Sequence, residues 1–167
     1  MNMNTLLKLP ANKAANRITS AGRQANPPHR ILVVDDETNI RQLSTSTLIR
    51  SGYQVDAVKD GAAAWEALHT HNYALMITDH SMPKVTGVEL VKKMRSAGMT
   101  LPVILVSGAL PTEELDRNPQ LQLAATVRKP FGSDELLNTV KKVLSASTVP
   151  ATANRVPVTV ANPAIFE

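Results

Sequence analysis

The chain has 167 residues, 43% hydrophobic and 19% charged, enough for about one ordinary globular domain with length to spare. It has no cysteine, which excludes a disulfide scaffold, thiolate zinc sites, iron–sulfur clusters and a cysteine nucleophile. The formal net charge of +4 gathers at one end, because residues 1–30 hold Lys8, Lys13, Arg17, Arg23 and Arg30 with no acid, so it does not make the rest of the chain a nucleic-acid binder.

Residues 1–29 read as a disordered basic leader closing on Asn26-Pro27-Pro28, which cannot enter a helix. The leader lacks the apolar stretch of a signal peptide, and no apolar run in the chain nears the ~20 residues that cross a bilayer. The expectation is a cytoplasmic protein without membrane attachment. Ile31-Leu32-Val33-Val34 is an unbroken apolar run, as a strand buried on both faces requires. Thr38 to Arg50 reads as a helix with Ile40, Leu43, Thr47 and Leu48 on its core face, halted by Ser51-Gly52. Val55 to Val58 gives a second strand, and Asp60-Gly61 opens a second helix with Ala64, Trp65 and Leu68 inward. Ala74 to Thr78 is the most apolar strand and hence central; Thr86 to Arg95 follows as a helix through Val88, Leu90, Val91 and Met94. Pro102 to Val106 is a fourth strand, and a short helix from Thr112 is cut by Asn118-Pro119. Ala125 to Val127 makes a fifth strand, and Ser133 to Leu144 a last helix on Leu136, Leu137, Val140 and Val143. Residues 146–167 carry Pro150, Pro157 and Pro163 among small side chains and read as a disordered tail. The domain is therefore 30–145.

Five strands, each followed by a helix, imply an α/β fold, a doubly wound parallel sheet with helices on both faces. Ligands of such sheets sit at the carboxyl ends of the strands. There stand Asp35, Asp36, Asp79, Ser107 and Lys129. Three converging carboxylates repel unless a cation compensates, and Mg²⁺ prefers a few carboxylate oxygens completed by water and phosphate oxygens. With a hydroxyl and an ammonium opposite, the set suits a phosphoryl group, whose transfer depends on positioning and charge neutralisation. Taken singly, an Asp-Asp pair is a helix cap, Ser-Gly a turn and Lys-Pro a loop. Jointly they mark the ligand-binding end of consecutive strands.

The segments Ile31-Leu32-Val33-Val34-Asp35-Asp36-Glu37, Asp79-His80-Ser81-Met82-Pro83 with Gly87, Val106-Ser107-Gly108-Ala109 and Arg128-Lys129-Pro130-Phe131 resemble, in order and spacing, the receiver domain of bacterial two-component response regulators. The resemblance covers about residues 30–145. It implies the flavodoxin-like strand order 2-1-3-4-5, for which the chemotaxis receiver is a standing example. It implies Asp79 as phosphoacceptor, Mg²⁺ held by Asp35, Asp36, Asp79 and the backbone carbonyl of Ser81, and contacts to the phosphoryl group from Ser107 and Lys129. It also implies a cis-type Lys129-Pro130 peptide and a Gly87 kept for its backbone freedom. The implied partners are a histidine kinase or histidine phosphotransfer protein as donor and a downstream protein. No enzymatic activity is implied beyond slow loss of the phosphoryl group. No helix-turn-helix pattern accompanies the domain, so sequence-specific DNA binding is not expected.

Two positions depart from the family. Thr126 stands where Tyr or Phe is usual, and Pro119 shortens the fourth helix. The resulting expectation is a single-domain response regulator that switches partner binding; the alternative is a receiver-fold interaction module that does not switch. A Mg²⁺-dependent phosphohydrolase is disfavoured, because that class normally places its aspartyl nucleophile after the first strand, beneath a large cap.

Overall fold

The strand–helix alternation forms as read, with element ends moved by one to three residues. The computed structural model describes residues 28–147; nearly all of the expected leader and tail lie outside the described residues. In chain order the elements are β1 (Arg30–Val34), α1 (Thr38–Arg50), β2 (Gln54–Val58), α2 (Gly61–Thr70), β3 (Leu75–Asp79) and α3 (Gly87–Ser96). There follow β4 (Val103–Ser107), α4 (Thr112–Asp116), a 3-10 turn (Pro119–Leu121), β5 (Ala125–Arg128) and α5 (Ser133–Ser147). The sheet runs β2-β1-β3-β4-β5 with every pairing parallel.

Side chains of a strand alternate between faces, and β1 uses both. Ile31 and Val33 enter a core with Leu48 of α1 and Leu136, Val140 and Val143 of α5. Leu32 and Val34 enter a second core with Ala64 of α2 and Val88, Val91 and Met94 of α3. All four are at most 2% exposed, and each such burial stabilises the fold by roughly 1.5–3 kcal/mol. β3 and β4 are buried at every position, as strands covered by helices on both faces require. Polar side chains set the helix starts. The Asp60 carboxylate accepts the Ala63 N–H at 2.9 Å, and Thr86 and Glu89 form a reciprocal capping box at the start of α3. Among the described residues no helix is long and apolar enough to cross a membrane.

Three expectations are corrected. Leu43 does not face the core: it is 45% exposed, and α1 packs through Ser44, Thr47 and Leu48. The true contact stripe is one residue further round the helix, and it is partly polar, which the apolar pattern hid. Ile40, Trp65, Leu68 and Leu137 are only half-buried. Finally, α5 continues to Ser147, so the folded unit extends past residue 145.

Candidate functional site

The chain passes from β1 outward to β2, then back across β1 to β3. That reversal opens a crevice at the carboxyl ends of β1 and β3. Asp35 directly follows β1, Asp79 is the last residue of β3 and Ser107 the last of β4. All three are buried. Lys129 directly follows β5, and its backbone N–H donates to the Ser107 carbonyl at 2.8 Å. The Lys129-Pro130 peptide is cis. The fold thus brings together the residues singled out from the sequence.

Asp35, Asp36 and Asp79 each offer a carboxylate oxygen, all within 4.8 Å of one another. Lys129 Nζ lies 3.1 Å from Asp35 Oδ2, 3.1 Å from Glu37 Oε1 and 3.2 Å from Asp79 Oδ1. Burial is the largest influence on Asp35 and raises its pKa; Lys129 and the Glu37 N–H, which donates to Asp35 Oδ1 at 2.8 Å, offset only part of it. For Lys129, burial opposes the charge, but the carboxylates of Glu37, Asp35 and Asp79 outweigh it and its pKa is raised. One ammonium therefore faces more negative charge than it can neutralise. Among the described residues the buried Asp36 Oδ1 accepts no hydrogen bond, and the buried Asp79 Oδ1 has only the Lys129 ammonium beside it. Buried carboxylate oxygens left in that condition fit a hard divalent cation. The Ser81 carbonyl, two residues beyond Asp79, accepts no backbone hydrogen bond among the described residues. The Ser107 hydroxyl donates to the Ala109 carbonyl at 2.6 Å, within its own loop.

Gly87 serves this site for a different reason from the one expected. Its backbone is not in the left-handed region. Instead a Cβ there would collide with the carbonyl of Asp79 and approach Leu105 Cδ1 to 2.9 Å. Only glycine lets α3 start against the end of β3.

Two site residues were given no role in the sequence reading, Glu37 although it stands in the strand-end segment and Arg41 altogether. Glu37 pairs with Lys129, and Arg41 Nη1 donates to the carbonyls of Asp35 at 2.7 Å and Asp36 at 3.2 Å. Glu37 follows the Asp pair directly, and Arg41 lies one helical turn beyond it; the local spacing was the available signal. Beside Lys129, a groove of about 510 Å³ is lined by Glu37, Ile40, Leu43, Pro130 and Phe131. This is where the exposed Leu43 stands.

Residues 31–141 match the response regulator receiver domain family. The transcriptional regulatory protein TctD of Salmonella typhimurium is 34% identical over 120 residues, 71% of this chain and 53% of that protein. The response regulator receiver protein CpdR of Brucella abortus is 28% identical over 118 residues, 71% of this chain and 98% of that protein. The crystal structure of the response regulator protein TrrA from Thermotoga maritima, in complex with Mg²⁺-BeF, superposes with a TM-score of 0.62 at 34% identity, covering 69% of this chain and 98% of that one. The chain spans about half the length of TctD and of other curated relatives that it matches. Receiver domains take a phosphoryl group from histidine kinases or phosphotransfer proteins and bind Mg²⁺ at an acidic pocket, as the Asp cluster here allows. With family match, strand order and site geometry in agreement, this chain belongs to the response regulator receiver domain family.

Proposed function

We propose that the chain accepts a phosphoryl group on Asp79 from a histidine kinase or histidine phosphotransfer protein, and thereby changes which protein it binds. The observation that carries this reading is the single ammonium of Lys129 set among Asp35, Glu37 and Asp79, beside the buried Asp36 Oδ1, which accepts no hydrogen bond among the described residues. Asp35, Asp36, Asp79 and the Ser81 carbonyl would hold Mg²⁺, which when bound neutralises charge on the phosphoryl oxygens. An Asp79 carboxylate oxygen attacks phosphorus, the P–N bond to the donor imidazole breaks, and its electron pair returns to the imidazole nitrogen. Lys129 offsets the charge of the transferring group, and Ser107 donates to it after leaving the Ala109 carbonyl. The apolar groove beside Lys129 suits a helical donor that must bring its imidazole to Asp79. CpdR, matched over nearly its full length, supports action as a single domain; TrrA with Mg²⁺-BeF supports the metal assignment.

One observation favours a non-switching interaction module. Thr126, in register with Leu105, is exposed and has no ring to move inward. Incubation with acetyl phosphate and Mg²⁺, followed by intact mass, separates the readings. A single phosphoryl adduct that alters partner binding is expected. No adduct, or an adduct without effect on binding, favours the module; turnover of phosphate esters would make the chain a hydrolase.

A further inference from the structure

The end of the domain opposite Asp79 carries the reverse charge. Helices that return from the carboxyl ends of parallel strands finish at their amino ends. There the last turns of α1, α2 and α3 hold Arg50, His69, Lys93 and Arg95, and Lys141 and Lys142 lie in the second half of α5. At the site end, first turns hold Glu89, Glu113, Glu114, Asp134 and Glu135. The arrangement complements the helix dipoles and gives this far end a potential that draws anions.

One concavity at this end, about 450 Å³ in volume, is bounded by α3, β5 and α5. It is lined by the cations Arg95 and Lys142, the hydroxyl residues Thr100 and Thr139, apolar Pro102 and Val143, and no carboxylate. Arg95 is held in place: Nε donates to the Leu121 carbonyl at 2.9 Å, and Nη1 to those of Met99 at 2.7 Å and Leu101 at 3.1 Å. Among the described residues its Nη2 makes no hydrogen bond and no carboxylate pairs with Arg95 or Lys142. Burial lowers the pKa of Arg95 with no carboxylate to restore it. A fixed, half-buried guanidinium with a spare donor matches oxyanion geometry, and the volume lies within the range of small-ligand pockets.

We propose that this cavity binds a small organic phosphate, its charge between Arg95 and Lys142 and its apolar part against Pro102 and Val143. The test is an NMR titration of the ¹⁵N-labelled chain with sodium pyrophosphate and with AMP, in EDTA so that the acidic cluster is metal-free. Saturable shifts confined to the neighbourhood of Arg95, Thr100, Thr139 and Lys142 are expected. Lys142→Glu, at an exposed position, should weaken binding about tenfold, equivalent to ~1.4 kcal/mol, and leave labelling by acetyl phosphate unchanged. Co-sedimentation with phosphatidylglycerol vesicles, against phosphatidylcholine vesicles, distinguishes the source of the phosphate. Lys142-dependent binding to the anionic vesicles alone supports the site with a lipid headgroup as ligand, and binding of the soluble probes supports it with a free phosphate. The proposal is overturned by the absence of saturable shifts together with no vesicle binding, or by binding that Lys142→Glu leaves intact.

Discussion

The two flanks of the crevice are built to different degrees. On the β1–β3 flank Asp35 and Asp79 are buried, Arg41 holds the carbonyls of Asp35 and Asp36, and Lys129 reaches across from the end of β5 to pair with both buried carboxylates. On the β4–β5 flank the Ser107 hydroxyl is tied to its own loop, α4 has 5 residues and Thr126 is exposed. Accepting a charged group needs preorganised charges. Responding to it needs an element with two arrangements that the group tells apart. The contrast teaches that the two capacities are separable, and that this chain invests most of its structure in acceptance.

The largest effect should come from the cation that reaches into the acceptance flank. Lys129→Met is expected to slow labelling by acetyl phosphate about 10²-fold, the usual effect of removing one electrostatic stabiliser, while a Mg²⁺ titration still shows binding. An unchanged rate would shift the weight of the account away from this lysine. Next, Gly87→Ala should lower the unfolding free energy by about 1–3 kcal/mol, read by urea denaturation, because its Cβ meets the Asp79 carbonyl. Full stability would mean that α3 can shift away from β3 at little cost.

A smaller change of opposite sign is expected from Asp36→Ala. It removes one of three crowded acids and a buried oxygen without a hydrogen bond, so the metal-free melting temperature should rise. Mg²⁺ should raise the melting temperature of the wild type, as a ligand of the folded state does, and leave that of the variant unchanged. If Mg²⁺ raises both melting temperatures equally, the ion sits elsewhere. The smallest effect belongs to the response flank. NMR shift changes on formation of the acyl phosphate should concentrate in residues 107–112 and fade towards Thr126, since a ligand shifts an equilibrium only by its differential contacts. Equally large changes through β5 would show that the switch operates without an aromatic ring.

Much of this was legible in the residues. The unbroken runs Ile31 to Val34 and Val103 to Val106 announce strands buried on both faces, and the residues directly after such strands are where a doubly wound sheet binds its ligands. The α1 face misled at Leu43: Ser44 packs inward beside Thr47 and Leu48, which were read correctly, while Leu43 stays exposed; an apolar count does not find a buried serine. The roles of Glu37 and Arg41 were missed because they rest on distances to Lys129 and to two carbonyls; their spacing from the Asp pair signals proximity but does not name the partner. For Gly87 the sequence carried the residue but not the cause, which is the room its neighbour's carbonyl leaves.

The central claim is that Asp79 alone takes the phosphoryl group. After labelling with acetyl phosphate and Mg²⁺, borohydride reduction of the acyl phosphate followed by peptide mass mapping locates the modified carboxylate directly. A reduced residue at position 79 and nowhere else is expected, and none in Asp79→Asn. Reduction at Asp35, Asp36 or any other carboxylate of the wild type, or full labelling of that variant, would contradict it.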